Sequence, residues 1–227
     1  MLRIVAYGGL LAFAATLASC APGSNPDGTT GQMARLRVVH ASPDAPAVDV
    51  CANGTVAFGG AAFPSATDYA EVPAGTYAVR VVAAGAGCES AGVIDAQLPL
   101  AAETDTTVVA VNLLNSIEPL VLSDDNSDPA VGSSRVRFVH ASPDAPTVDI
   151  TLPDGTTLFD DVSFKENAGY IAVPAAVYTL QVRDETGTNI VLEIGPVTLE
   201  SGRVYTVFAV GLAGGSPALD ALLTVDN

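Results

Sequence analysis

The chain has 227 residues, of which 49% are hydrophobic, and this apolar content is enough for a folded core and excludes an intrinsically disordered protein. Its 25 acidic residues outnumber the nine Lys and Arg residues, which gives a formal net charge of −16 at pH 7. A surface this acidic repels a phosphate backbone, so nucleic acid is excluded as a partner. The length fits one large domain or two domains of about 100 residues.

Residues 1–20 have the features of an export signal. Arg3 supplies a positive start, and the apolar stretch that follows has about 14 residues, fewer than a membrane-spanning helix needs. The stretch ends in Leu17-Ala-Ser-Cys20, which resembles the bacterial lipobox. The resemblance implies diacylation of Cys20, cleavage before it and acylation of the new amino terminus. Ordinary signal cleavage near Ala18, which would release a soluble secreted protein, is the alternative.

Residues 21–34 are rich in Gly, Pro and polar residues, which predicts a disordered tether. The residue after the lipobox cysteine is Ala21 and not an Asp. In this the chain resembles lipoproteins that are sorted to the outer membrane, in hosts that have one. Several acyl chains together anchor a protein stably. We therefore expect an exported protein, attached to the bacterial membrane through its lipid and facing the periplasm or the cell exterior.

An internal duplication organises the rest of the chain. Residues 35–49 (RLRVVHASPDAPAVD) and 135–149 (RVRFVHASPDAPTVD) are identical at 12 of 15 positions. Further matches follow in the same order, pairing 72–77 with 173–178 and 106–111 with 205–210. Because the three pairs of matching segments follow the same order along the chain, they predict two copies of one domain. The predicted parts are a first repeat at 35–123, an acidic linker at 124–134 and a second repeat at 135–227.

Both repeats show the periodicity of strands. Residues 135–140 alternate Arg, Arg, Val with Val, Phe, His, the period-two pattern of a half-buried strand, and residues 178–183 alternate similarly. Turn signals recur about every 8–12 residues, and no window has a convincing helical face. The pattern predicts an all-β fold with two tandem immunoglobulin-like antiparallel β-sandwich domains. Tyr77 and Tyr178 are predicted to bond nearby backbone through their hydroxyls, as in a tyrosine corner.

The paired segment His-Ala-Ser-Pro-Asp-Ala-Pro-x-Val-Asp, hereafter the signature, and the later Val-Pro-Ala-x-x-Tyr resemble the bacterial domain-of-unknown-function family numbered 4397. The resemblance covers 35–123 and 135–227. Members occur in exported and surface proteins, often in tandem, so the resemblance implies a fold class and a location. The family carries no established activity, and the resemblance therefore implies no mechanism.

The signature gives each repeat one His, one Ser and two Asp residues: His40, Ser42, Asp44, Asp49, His140, Ser142, Asp144 and Asp149. A hydrolase is one interpretation, but catalytic triads assemble from distant segments, and no Gly-x-Ser-x-Gly elbow is present. Zinc needs three or four ligands, which one His per repeat without a nearby free Cys does not supply. We therefore expect no enzyme activity and no cofactor.

We interpret the signature as a rigid corner between two strands. His40 and His140 fall on the apolar face, where both ring nitrogens are expected to bond turn backbone. The prolines preset φ for a turn, and Asp44 and Asp144 are expected to accept hydrogen bonds from amides one or two residues further on.

The linker contains a weak candidate for calcium. Asp124, Asn126 and Asp128 place oxygen ligands at alternate positions, although Pro129 and Arg135 stand where an EF-hand needs Gly and Glu. The alternatives are a solvated spacer and a linker that stiffens on binding calcium between two adhesion domains.

The three cysteines have separate predicted roles. Cys20 takes the lipid, and Cys51 and Cys88 are expected to form a disulfide in an oxidising compartment. The second repeat has Thr151 where the first has Cys51, so the bridge would be an addition to one repeat. Two free thiols are the alternative.

Three classes of function remain. We expect a noncatalytic envelope or surface lipoprotein for binding or adhesion, whose ligand is an unknown surface protein or glycan. A purely structural envelope protein is the alternative, and an enzyme is the interpretation that the sequence favours least.

Overall fold

The computed structural model describes residues 32–227, whose regular secondary structure is strand except for one short 3-10 helix. The signal segment, Cys20 and most of the tether lie outside these residues, so what the sequence predicts for them stays a prediction. Within the described residues, no helix is long and apolar enough to cross a membrane.

Repeat 1 forms two sheets. The inner sheet, named because it faces the other repeat, has the order β4-β1-β8-β9 with β5 also paired to β1, and the outer sheet has the order β3-β2-β6-β7. A short 3-10 helix, Leu114–Ser116, precedes the last strand. The strands are β1 Met33–His40, β2 Val48–Ala52, β3 Thr55–Ala61, β4 Ser65–Ala66, β5 Ala70–Pro73, β6 Gly75–Ala83, β7 Ile94–Leu100, β8 Asp105–Val111 and β9 Glu118–Asp124.

Repeat 2 reproduces this arrangement. Its inner sheet has the order β13-β10-β16-β17 and its outer sheet the order β12-β11-β14-β15. The prediction of an all-β chain with two tandem sandwiches is confirmed. The strands are β10 Ser133–His140, β11 Val148–Thr151, β12 Thr157–Val162, β13 Asn167–Pro174, β14 Ala176–Asp184, β15 Ile190–Leu199, β16 Val204–Val210 and β17 Asp220–Val225.

One strand pair in each repeat is parallel, which the antiparallel expectation did not include. Strand β1 pairs with β8 from Arg35↔Asp105 to His40↔Ala110, and β10 pairs with β16 in the same sense. Parallel neighbours need a long crossover, and here the chain crosses through the outer sheet between them. The pairing brings the loop after β8 to the signature, because both strands end on the same side.

Each sandwich has an apolar interior between its inner and outer sheets. Val136 and Phe138 of β10, which the sequence assigns to the apolar face, lie there as predicted. In repeat 2 this interior includes Val136, Phe138, Ile150, Leu180, Ile194 and Val207. In repeat 1 it is divided between two clusters, one around Val38, Val50, Val81 and Ile94 and one around Leu36, Leu98 and Leu100.

A third apolar layer lies between the repeats, where the two inner sheets pack back to back. Its fully buried members come from both repeats: Val39, Ala41, Val109, Val111, Leu122, Val139, Ala141, Phe208 and Val210. The interpretation of residues 135–140 as a half-buried strand is therefore wrong, because Arg137 and Val139, on the face predicted to be exposed, are buried against repeat 1. The molecule has four sheet layers rather than two separate pairs.

Candidate functional site

Both signatures lie at one end of the molecule, which we call the loop end. The amide of Lys165 donates to the carbonyl of His140 in repeat 2, and Glu118 pairs with Val111 at the end of β8 in repeat 1. Lys165 Nζ and Glu118 Oε1 are 3.0 Å apart, so they join the two signature regions. Strand β1 starts at Met33 on the opposite side, which we call the tether end.

The two histidines are buried in equivalent environments. The Nε2 atoms of His40 and His140 lie 3.1 Å and 3.0 Å from the carbonyl oxygens of Pro46 and Pro146, while both Nδ1 atoms are buried without a hydrogen-bond partner among residues 32–227. Thus one ring nitrogen, not two, bonds the turn backbone. An aromatic ring stands edge-on to each imidazole at 6.2 Å between centroids. Burial lowers the pKa of both histidines below the ordinary value, although the carbonyl contact acts in the opposite direction.

Asp44 and Asp144 hold the loop that follows the parallel strand. Asp44 Oδ1 accepts from the amide of Leu114 at 2.7 Å, and Asp144 accepts from the amides of Ala213 at 2.7 Å and Gly214 at 3.1 Å. The expected bonds to amides one or two residues further on are therefore replaced by bonds to a loop about 70 residues away. The signature is a corner that also fixes a second loop.

In each of these loops, a residue with left-handed backbone conformation stands two positions before the first amide that the aspartate binds. Gly211 has a φ of +86°, and a Cβ there would collide with the carbonyl of Ala218. Asn112, with a φ of +74°, occupies the equivalent position in repeat 1. Asn is among the few residues besides Gly that adopt this conformation readily.

The serines complete the corner without facing a histidine. Ser142 Oγ donates to the carbonyl of Gly211 at 2.8 Å, and Ser42 Oγ is buried with no partner in the part of the chain that the structure describes. Within the described residues, no hydrogen bond joins a signature histidine to a signature serine. A base that activates a nucleophile must be within hydrogen-bond reach of it, so the geometry offers no assembled relay.

The second aspartate of each signature supports a β-bulge in the outer sheet. Asp49 accepts from the amides of Gly60 and Gly85 at 2.7 Å and 2.8 Å, and these bonds lower its pKa. Asp149 accepts from the amide of Asp161 at 2.9 Å. Both residues stand where the strand register shifts, and each pairs one amide that the bulge leaves out of the ladder, that of Gly60 or of Asp161.

Repeat 2 has an acidic cluster that sequence spacing did not indicate. Carboxylate oxygens of Asp149, Asp160 and Asp161 lie within 4.8 Å of one another, and the hydrogen bond and charge of Asp149 raise the pKa of Asp160. Repeat 1 has Gly59 and Gly60 at the matching places, so the cluster is specific to one repeat. The proximity of these three carboxylates follows only from the pairing of β11 with β12 across the bulge.

The structure gives contacts for two of the three linker residues proposed for calcium. Asp124 is the last residue of β9, and its buried carboxylate accepts from Tyr69 and Thr107. Asn126 donates its amide to Asp105 Oδ2 at 2.8 Å. In the described part of the chain, the grouping of acidic side chains that would suit a cation does not include Asp124 or Asp128.

The disulfide joins Cys51 to Cys88 and fastens a loop over the outer sheet of repeat 1. Beside it is a shallow hollow of about 460 Å³. Arg80 crosses its floor, donating to Asp95 Oδ1 at 2.6 Å and to the carbonyl of Cys88 at 3.3 Å. The polar groups around the hollow are thus largely paired with one another.

Both predicted tyrosine corners are confirmed. The hydroxyls of Tyr77 and Tyr178 donate to the carbonyls of Pro73 and Pro174 at 2.7 Å and 2.8 Å. The bond ties the strand that follows the Val-Pro-Ala segment to the proline of that segment.

Comparison with known proteins identifies a family for both repeats. The model of a domain of unknown function, DUF4397, matches residues 34–151 and 151–227. Among solved structures, the C-terminal domain of AlgF from P. aeruginosa is similar at 21% identity with a TM-score of 0.31, over 43% of this chain and 99% of that one. No curated protein matches the chain.

Proposed function

This chain belongs to the DUF4397 family, and we propose that it is a noncatalytic cell-envelope lipoprotein that presents a binding or adhesion surface. The observation that carries the proposal is the sequence Leu17-Ala-Ser-Cys20 followed by a polar tether. The tether leads into β1 at the tether end, so an anchor at Cys20 would leave the loop end facing away from the membrane.

The geometry of the loop end supports binding over catalysis. The loops 112–117 and 211–219 contain no charged residue in a chain of net charge −16, and Asp44 and Asp144 hold them from below. Leu113 is 38% exposed there. A loop that is preorganised by its scaffold loses little entropy on binding, which is why binding residues so often lie on such loops.

The anchor is tested by replacing Cys20 with Ser in the full chain. We expect the unchanged protein to incorporate labelled palmitate and to partition into detergent, and C20S to do neither. The matched control is the double variant C51S/C88S, which removes the other two cysteines and should keep the label. An unlabelled wild-type protein in the culture medium would instead establish ordinary secretion.

Binding is tested by placing a photocrosslinking amino acid at Leu113 on intact cells. The control position is Val177, which is 64% exposed but lies at the tether end. We expect discrete crosslinked products from position 113 and none from 177. Absence of products at both positions would favour the alternative, a purely structural envelope protein.

A further inference from the structure

The layer between the repeats contains two buried arginines at equivalent positions. Arg37 Nη1 donates to Asp226 Oδ1 at 2.6 Å, and Arg137 Nη2 donates to Asp124 Oδ1. Arg37 is 1% exposed and Arg137 is fully buried. Each arginine thus meets the aspartate that lies at or just beyond the end of the other repeat's last strand. We call these four side chains the clasp.

Neighbours from the same repeat orient each half of the clasp. In repeat 1, Arg37 Nε donates to Thr107 Oγ1 at 3.0 Å, and its guanidinium lies 4.6 Å from the ring centre of Tyr69. Tyr69 in turn donates to Asp124 Oδ2 at 2.6 Å. The matching groups of repeat 2 are Thr206, 2.7 Å from Arg137 Nε, and Tyr170, whose ring centre is 4.8 Å from the guanidinium.

The reciprocity of the contacts is the pattern of an isologous interface between two like bodies. A buried charge is tolerated when it is paired and hydrogen-bonded, and removing one partner is strongly destabilising. Here each repeat supplies one cation and one anion, and both ion pairs join groups of different repeats, so each charge meets its direct partner only when the repeats are together. Separation would also expose the apolar layer around Val39, Val109 and Phe208.

We propose that the clasp locks the two repeats into one cooperative unit, and that it does so without calcium. The carboxylate of Asp124, the first of the calcium candidates, already accepts from Tyr69, Thr107 and Arg137. We therefore attribute the rigidity of the tandem chiefly to side chains buried between the sheets, whereas the contacts of linker residues 125–132, such as the Asp125–Arg135 pair, lie at the surface.

The test is thermal unfolding of the mature full-length chain with calcium and with a chelator. We expect a single transition whose midpoint is the same in both conditions. The variant Arg137→Met should lower the midpoint by roughly 10 °C and separate the unfolding of the two repeats, because it strands the charge of Asp124. Two transitions in the wild-type protein, or a midpoint that rises with calcium, would overturn the proposal.

The matched control is Arg135→Met, two residues earlier on the same strand. Arg135 pairs with Asp125, whose side chain is 59% exposed, so its loss should shift the midpoint by no more than about 3 °C. If Arg137→Met does not fold, the double variant Arg137→Met with Asp124→Asn decides the matter, because it leaves neither charge behind. We expect it to recover a folded protein with a midpoint above that of the single variant. Equal midpoints for the variants at 135 and 137 would contradict the clasp.

Discussion

The layers inside the two sandwiches and the layer between them are held together in different ways. The interiors contain almost only aliphatic and aromatic side chains, which pack wherever the strands alternate. The layer between the repeats adds two buried Arg–Asp pairs to its apolar centre. Apolar packing is non-directional, whereas a charged pair fixes which groups must meet. The difference teaches that apolar packing stabilises each repeat by itself, whereas the Arg–Asp pairs of the clasp fix the orientation in which the two repeats pack together.

The largest expected effects come from a pair of phenylalanines on opposite sides of an inner sheet. Phe138→Ala opens the interior of repeat 2, and Phe208→Ala opens the layer between the repeats; each should cost about 3–5 kcal/mol of unfolding free energy. Hydrogen exchange would distinguish them. We expect Phe138→Ala to lower protection mainly in repeat 2 and Phe208→Ala to lower it in β1 and β8 as well. If both variants lost hydrogen-exchange protection only in repeat 2, the result would contradict the expectation that Phe208 stabilises the contact between the repeats.

Removing the disulfide should have the next largest effect, and the effect originates in repeat 1. Cys51 and Cys88 are 37 residues apart, and opening a loop of that length costs roughly 3–4 kcal/mol in the chain-entropy model. In denaturant, C51S/C88S should lower the midpoint of the single transition, because the clasp makes repeat 2 unfold together with the weakened repeat 1. Thr151 at the equivalent position serves as the natural control, since repeat 2 folds without a bridge. Identical denaturation midpoints before and after reduction would contradict this expectation.

Two tyrosines compare a hydrogen bond at the clasp with one at the periphery. Tyr69→Phe removes a donor to the buried carboxylate of Asp124 and should cost about 1.5–3 kcal/mol, whereas Tyr77→Phe removes a bond to a carbonyl and should cost about 0.5–1.5 kcal/mol.

Burial and the nearby Asp124 also raise the pKa of Tyr69 to about 12. Burial raises the pKa of Tyr170 in the same way, so spectrophotometric titration should show late-ionising tyrosines in the wild-type protein and one fewer of them in Tyr69→Phe. If Tyr69→Phe and Tyr77→Phe lowered the free energy of unfolding equally, the hydrogen bond at the clasp would contribute no more than the one at the periphery.

The histidines are expected to give the smallest effect at neutral pH and a growing one in acid. Burial lowers the pKa of His40 and His140 in the folded state, so the neutral ring is the one that folding favours. This contribution is fully present above the unfolded pKa of about 6.5 and is lost as the pH falls through that value toward the folded pKa.

Melting temperatures measured from pH 7 to pH 5 should therefore fall more steeply for the wild-type chain than for the variant His40→Gln with His140→Gln. At neutral pH, His40→Ala should itself lower the melting temperature without altering binding. If the melting temperatures of the two proteins fell in parallel with pH, protonation of His40 and His140 would not contribute to the loss of stability in acid.

Several local features were predictable because they depend on neighbours in the sequence. The strand alternation, the duplicated signature and the bonds of Tyr77 and Tyr178 follow from periodicity and from turns of a few residues. The partners of Asp44 and Asp144 were not predictable, because the parallel pairing of β1 with β8 brings a loop about 70 residues away to each of them. The acidic cluster at Asp149 was missed for the same reason, since it depends on the register between β11 and β12.

The sequence by itself determined that this protein is a tandem of two β-sandwiches and which face of β10 points into the interior, because a period of two assigns alternate residues of a strand to one face. It also assigned Arg137 to the opposite face, which a single sandwich leaves to water. Only the tertiary structure decided that this face is buried. An arginine is stable away from water when a carboxylate accompanies it, and here that carboxylate comes from the other repeat, 189 residues away for Arg37.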